Sequence, residues 1–352
     1  MTYFYGHLFA AEPEIRAMFP AAMDAQRHRL AAALTRIMAR DPGIADSLAD
    51  LGRAHRKFGV REEHFAAFRQ SLEATALRYG GGDEAAAIAE SFDWAASVMN
   101  RAADGDSARS PAWWVCEVTS HEVRGPDVAV LTVVPEQPYP YLPGQHTSVQ
   151  TPRWPRLWRS YSIANAPRQD GALTIHVRAV TGGLVSNALV HHVRPGDTLL
   201  LGGAAGKMTS PAGTGTDVLC LAGGTGLAPL KAITESVSRS TTPGHRREIV
   251  VYYGARTEAD LYDLPALRRM ELDYPWLQVL PVTSQQSVSG MMHGTIPEIA
   301  AAAGWADRDV YISGPDQMIT ATLRALTEAG APRGRLHCDQ LATVPADAVA
   351  QP

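Results

Sequence analysis

The sequence predicts a multidomain chain with three successive textures: all-α, then antiparallel β, then alternating α/β. Three observations carry this. Alanine- and leucine-rich runs at helical spacing fill the N-terminal segment. Residues 113–134 switch to β-branched runs. From about residue 216, short apolar strands alternate with helical stretches, the pattern of a parallel sheet covered by helices.

Taken in order, residues 25–40 (AQRHRLAAALTRIMAR) contain no glycine or proline, and Leu30, Leu34, Ile37 and Met38 fall on one face of the helix they predict. Residues 44–58 and 61–79 continue as helical patterns around Gly59, and residues 84–103 form another after Gly80, Gly81 and Gly82. Residues 103–111 (ADGDSARSP) read as a polar linker. Strands follow at Trp113–Val118 and Val128–Val134, with glycine and proline punctuation about every dozen residues, as in a small antiparallel barrel. Val218–Ala222, Ile249–Tyr253, Leu277–Val282 and Val310–Ile312 are the strands of the α/β segment.

Composition narrows the function. The chain has 352 residues, 32 basic and 36 acidic, for a net charge of −4, with 45% hydrophobic and 19% charged residues. These are globular values, so a chain disordered throughout is excluded, as is nucleic-acid binding by bulk positive charge. No stretch approaches the roughly 18 apolar residues of a membrane span. The N-terminal MTYFYGHLFAAEPE lacks a basic region followed by an apolar core, so no secretory signal is read and a cytoplasmic location is expected. Three scattered cysteines, Cys116, Cys220 and Cys338, argue against a disulfide framework and are too few for a plant-type iron–sulfur cluster with its four thiolates.

The chemistry-bearing motifs begin with Gly223-Gly224-Thr225-Gly226, between a strand and a helix. Free backbone N–H groups at a helix N-terminus there suit a pyrophosphate. The spacing is not GxGxxG, so a standard Rossmann dehydrogenase is a poor match. Before it come Pro143-Gly144-Gln145, Arg159-Ser160-Tyr161-Ser162 and Gly182-Gly183-Leu184-Val185-Ser186. After it come YGARTEADL at residues 253–261 and Ser313-Gly314-Pro315-Asp316-Gln317-Met318. This ordered set resembles the ferredoxin-reductase-like flavin family.

The resemblance implies a six-stranded antiparallel FAD barrel followed by a nicotinamide-binding α/β domain. The residue types suit that use. Arg159 offers a planar fork to a phosphate oxygen, Gly182 and Gly183 let backbone approach closely, and Ser186 adds a hydroxyl beside Val185. Tyr161 can lie against the flavin ring and Ser162 can hydrogen-bond near its reactive nitrogen, with Ser160 between them in the motif, and by resemblance Tyr141 and Gln145 line this site. Gly223, Gly224, Thr225 and Gly226 are expected at the nicotinamide cofactor's pyrophosphate, with Gly314, Pro315 and Met318 nearer its nicotinamide. Arg256 is a candidate for a 2′-phosphate, but the family pattern often carries it without that role. NADH is favoured, and NADPH stays open. In the C-terminal run His337-Cys338-Asp339-Gln340-Leu341, Asp339 keeps the family's acid near the flavin and Leu341 replaces its aromatic.

The helical segment is the natural electron acceptor. Tyr3-Phe4-Tyr5-Gly6-His7-Leu8-Phe9, Pro13–Pro20 and Gly52-Arg53-Ala54-His55-Arg56-Lys57-Phe58-Gly59-Val60 resemble the globin domain of flavohaemoglobins, which fuse globin, FAD barrel and nicotinamide domain in this order. The resemblance implies haem b held by His55 as proximal ligand, wedged by Phe19, with Tyr5 as the distal tyrosine at the oxygen site and Leu30 as an apolar neighbour. Gln26 is the expected distal polar partner, with Arg29 the alternative. His7, His28 and His64 are read as bystanders, His64 as structural. Residues Ala54, Phe65 and Ala103 stand where the family has lysine, tyrosine and glutamate around the proximal histidine. The family's first globin helix would precede Tyr5 and is expected to be missing.

The implied domains are 1–104 (globin-like), 111–212 (FAD barrel) and 213–345 (NAD(P)-binding). The implied activity is electron transfer from NAD(P)H through FAD to haem, converting nitric oxide to nitrate with O2. The other open reading is an NAD(P)H–flavin reductase serving another acceptor.

Overall fold

The structure, a computed structural model, describes residues 1–19, 23–210, 215–240 and 247–339. It forms two compact units divided between Trp113 and Trp114. The first is helical: α1 Thr2–Ala11, α2 Asp24–Met38, α3 Ile44–His55, α4 Glu62–Tyr79 and α5 Gly82–Ser107. Gly43 and Gly59, at φ +77° and +74°, bracket α3 and the short turn after it, where a side chain would be strained. Phe4, Tyr5, Leu8, Leu72 and Phe92 form the main core, with Phe68 stacked on Phe92 at 5.1 Å.

Two expectations need correction. Met38 is 45% exposed, whereas Ile37 is buried; it is the last residue of α2, where the helix ends and the next turn begins. The expected linker 103–111 is helical as far as Ser107. Asp104 O accepts the Ala108 N–H, and Asp106 is held in an ion pair with Arg56, so the last turn has partners.

The second unit opens with a barrel: β1 Trp114–Val123, β2 Val128–Pro135, β3 His146–Gln150, β4 Arg159–Ser162, β5 Leu173–Arg178, α6 Leu184–His191 and β6 Thr198–Leu201. The order is β4-β3-β6-β1-β2-β5, antiparallel throughout. An Ile163–Ile175 bridge and the Ala164 N–H to Thr174 O bond bring the two edges together. Helix α6 inserts Val185 and Leu189 into the barrel core.

The α/β part follows: β7 Asp217–Gly223, α7 Leu227–Arg239, β8 Ile249–Ala255, α8 Leu264–Asp273, β9 Leu277–Thr283, β10 Met292–His293, α9 Ile296–Ala300, β11 Arg308–Ser313, α10 Asp316–Glu328 and β12 Leu336–His337. Its six strands are parallel in the order β10-β9-β8-β7-β11-β12. The order reverses between β7 and β11, which is where open α/β sheets bind ligands. Among the described residues, no helix is long and apolar enough to cross a membrane.

Barrel and α/β part share one core: Val128, Val130 and Met208 pack with Val218, Leu230 and Tyr253. A buried polar link crosses the same boundary. His176 Nδ1 lies 2.7 Å from Tyr262 Oη, and Lys231 pairs with the buried Asp263 at 2.5 Å.

Burial first, then Lys231, pulls the His176 pKa down to about 3. The unfolded chain therefore binds a proton that the folded one refuses between about pH 6.5 and 3. The stabilisation is full above about pH 6.5 and is lost as the pH falls towards 3, by up to about 1.4 kcal/mol per pH unit. Urea unfolding of this unit across that range is expected to show the slope, and His176→Gln is expected to flatten it by one proton.

Candidate functional site

The glycine loops of β7 and β11 meet at the switch point. A Cβ at Gly226 would stand 2.4 Å from both Ser313 O and Gly314 N, and one at Gly223 would stand 2.4 Å from Met318 Sδ. Gly224 turns the chain at φ +54°. A cavity of about 560 Å³ opens at this end of the sheet, with Gly223, Gly224, Arg256, Thr295, Pro315 and Met318 on its wall. Gly223, Gly224, Pro315 and Met318 are thus brought together, while Gly226 and Gly314 form the close backbone contact behind them.

Among the residues of this wall that sequence reasoning missed are Arg178 and Thr295. Arg178 arrives from the end of β5 and pairs with Asp127 at 2.5 Å, a contact across sequence that no local pattern signals. Thr295 caps α9 in a capping box with Glu298, which the Thr-x-x-Glu spacing does signal.

The expected flavin residues lie along β3, β4 and the start of α6. Cross-strand register sets His146 opposite Ser162 and Thr147 opposite Tyr161. The Tyr161 phenol packs on the barrel core; burial raises its pKa, with Arg159 opposing, so it stays a hydroxyl donor. The Arg159 guanidinium donates to Trp158 O at 2.9 Å, and Ser160 is exposed. Gly182 has φ +72°, and a Cβ at Gly183 would stand 2.5 Å from both Ser186 Oγ and Val180 Cγ2. Ser186 Oγ accepts the Val180 N–H and donates to Gly183 O, fixing the turn.

Four side chains serve the scaffold. Val185 is buried in the barrel core, so only its backbone N–H, in the first turn of α6, can meet a ligand. Gln145 accepts the Leu142 N–H at 2.8 Å and donates to Gly206 O. Tyr141 donates to Asn165 O and accepts from Asn165 Nδ2. Asp339 accepts backbone N–H groups of Lys207 and Met208 at 3.1 to 3.3 Å, tying the chain beyond β12 to the loop after β6. Gln340 and Leu341 lie outside the described residues. The glycine cradles, the α6 N-terminus and the Arg159 guanidinium fit a dinucleotide with a diphosphate.

In the helical unit, Tyr5 and Phe19 lie 5.6 Å apart between ring centroids, and Phe9 meets Phe19 at 5.5 Å. Leu30 and Phe65 pack against the same cluster. Tyr5 Oη is buried without a hydrogen-bond partner among the described residues. Burial raises its pKa, with Gln26 and then the charges of Arg29 and Arg27 opposing. Gln26 and Arg29, the two candidates for the distal polar position, bond to each other at 3.1 Å.

His55 ends α3. Burial first, then the Lys57 charge, lowers its pKa to about 4, so the imidazole is neutral, the form a metal needs. Its Nδ1 is also buried, with no hydrogen-bond partner among the described residues. Lys57 was not legible from the sequence; burial pulls its ammonium to about 8. The other histidines are occupied or outside. His7 bonds Ser71 Oγ at 3.0 Å, His64 Nδ1 accepts the Arg61 N–H as a helix cap, and His28 is exposed. Ala54 is exposed, and Ala103 is half-buried. A buried hydroxyl among aromatic rings and a neutral imidazole, both short of partners among the described residues, fit a haem. His55 would hold the iron, and Tyr5 would offer its hydroxyl to a bound ligand.

Tyr5→Phe follows as a test. Removing an unpaired buried hydroxyl is expected to leave the haem-free protein as stable as before, or about 1 kcal/mol more so. Thermal melts of the two proteins without haem would check this.

Comparison with known proteins agrees with this arrangement. Residues 2–100 match the globin family, residues 115–209 the oxidoreductase FAD-binding domain, and residues 220–324 the oxidoreductase NAD-binding domain. The chain is 31% identical over 222 residues to the xylene/toluene monooxygenase electron transfer component of Pseudomonas putida, covering 61% of each chain. It is 31% identical over 225 residues to the reductase component of the naphthalene 1,2-dioxygenase system of Pseudomonas putida, covering 60% of this chain and 64% of that one. The chain thus spans less than two thirds of the length of these curated relatives. In fold it is similar to the flavohemoglobin from Malassezia yamatoensis with bound FAD and heme, at TM-score 0.77 and 18% identity over 96% of this chain and 93% of that one. It is also similar to the FAD/NAD-binding domain of nitric oxide dioxygenase from Vibrio cholerae, at TM-score 0.57 and 19% identity over 64% of this chain and 97% of that one.

The fold and domains define a globin joined to a flavin- and nicotinamide-binding oxidoreductase module. In architecture the chain is a flavohaemoglobin-like fusion.

Proposed function

We propose that this chain is an NAD(P)H-dependent FAD oxidoreductase that delivers electrons to haem in its own globin domain and oxidises nitric oxide to nitrate with O2. The observation that carries this is His55, a neutral imidazole ending a globin-like helix in the same chain as a nicotinamide cavity and a flavin cradle. When bound, the flavin supplies the change from two-electron hydride transfer to one-electron steps, and the haem supplies the oxygen chemistry.

The residues of this chain do the rest. Gly223, Gly224 and Gly226 leave room for a diphosphate at the head of α7. Pro315 and Met318 form a wall of the cavity that shields a nicotinamide from water. Arg159 and the first turn of α6 hold the flavin's diphosphate, and the protonated Tyr161 flanks its ring. Tyr5 offers a buried hydroxyl donor that has no hydrogen-bond partner in full geometry among the described residues, so little is given up when a ligand takes it.

The likeness to the electron transfer component of a monooxygenase and the reductase component of a dioxygenase system favours a second reading, a flavin reductase serving another acceptor. The deciding experiment is aerobic NO consumption by haem- and FAD-loaded protein with NADH or NADPH. Nitrate formed in step with NO and O2 used, and abolished in His55→Ala, is the expected result. NADH oxidation at full rate with no NO consumption would leave the second reading.

A further inference from the structure

We infer that His55 would hold the haem iron through an imidazole whose second nitrogen donates to no acceptor, so that the iron receives little charge from its ligand and its reduction potential is high. This rests on the haem reading above. A metal-bound histidine almost always donates its other N–H to a carboxylate, carbonyl or water, which orients the ring and makes it a stronger donor. Here Nδ1 is buried and has no partner among the described residues.

Packing explains why. Helix α3 runs against α5 so closely at Gly52 that a Cβ there would stand 2.2 Å from Met99 O. One turn further along α3, Arg56 reaches Asp106. Residue 103 stands between Met99 and Asp106, four residues after one and three before the other, and so shares their face of α5. That puts it level with His55, and it is alanine, with no acceptor to offer. The carboxylate next along that face, Asp106, is already engaged by Arg56, whose second nitrogen donates to Ser110 O at 2.7 Å. The ion pair anchors the end of α3 without touching the ring's electronics. An imidazole that donates no N–H favours the ferrous state. That assists delivery of electrons from the flavin and weakens the push from iron to oxygen.

The test uses the full-length, haem-loaded protein and reads the haem midpoint potential and the iron–histidine stretch by resonance Raman. Ala103→Glu is expected to give Nδ1 an acceptor, raise the stretching frequency, and increase the ferric-to-ferrous ratio at fixed potential at least tenfold, about 59 mV for one electron. Ala54→Glu, which adds the same charge at an exposed neighbour, is expected to move neither as far. A cavity variant guards against misfolding of Ala103→Glu: His55→Gly is filled with imidazole or with 1-methylimidazole, which has no N–H to donate. Equal midpoints for the two are expected. A tenfold or larger difference between them, or an unmoved stretch and midpoint in haem-loaded Ala103→Glu, would overturn the inference alone. Failure of the wild-type protein to take up haem would overturn the haem reading and this inference with it.

Discussion

Replacing His55 by alanine is expected to abolish haem retention while NADH-driven reduction of FAD stays within about twofold of wild type. The two halves of this result have separate causes. Losing only a hydrogen-bond partner of a metal ligand costs about 10- to 100-fold in affinity, and losing the ligand itself costs more. His7, His28 and His64 cannot substitute, since the first bonds Ser71, the second is exposed and the third caps α4. The flavin and nicotinamide residues belong to the other compact unit, and substitutions with no shared partners act independently. Absorbance after gel filtration with added haemin measures the first half, and ferricyanide reduction measures the second. Retention of haem by the variant would move the ligand elsewhere.

The converse prediction concerns Gly226→Ala. The added methyl would stand 2.4 to 2.5 Å from backbone atoms of Ser313 and Gly314, and backbone cannot turn aside as a side chain can. Overpacking of this kind costs about 1 to 3 kcal/mol. Here the movement that relieves it spreads the two loops that flank the nicotinamide cavity. The NADH KM is expected to rise roughly tenfold or more, about 1.4 kcal/mol per decade, with hydride transfer slowed in single-turnover reduction. Haem uptake is expected to be unchanged. Gly215→Ala, with nothing within 4 Å, serves as the control. Wild-type kinetics in Gly226→Ala would mean that the close approach has no bearing on cofactor binding.

These two predictions also mark what a single sequence can convey. The change from helical to alternating to mixed patterning was legible because each texture has its own period; β2, β7, β8, β9 and β11 were read to within about two residues of their ends, β1 runs five residues further than read, and the short strands β3 to β6, β10 and β12 were not read. The glycine cradles were legible too, because Gly223, Gly226 and Gly183 stand where a Cβ would meet a neighbour. Contacts made across sequence were not. Nothing local joins Asp339 to the Lys207 N–H, Arg178 to the nicotinamide cavity, or His176 to Tyr262. Lys57 reads as an ordinary surface charge, and only packing shows it buried. The helical end of α5 was missed because Asp104, Gly105 and Asp106 look like linker residues, whereas Arg56 gives Asp106 a reason to stay ordered. Val185 was singled out by its motif, but its side chain belongs to the barrel core.

The central claim is that one chain carries electrons from a nicotinamide to a haem. Its most direct test is an anaerobic NADH titration of FAD- and haem-loaded protein, followed by carbon monoxide, with the flavin and Soret bands recorded together. Bleaching of the flavin accompanied by a red shift of the Soret band, and a second shift on adding CO, is the predicted result. Flavin bleaching beside a Soret band that is absent, or that stays ferric, would contradict it.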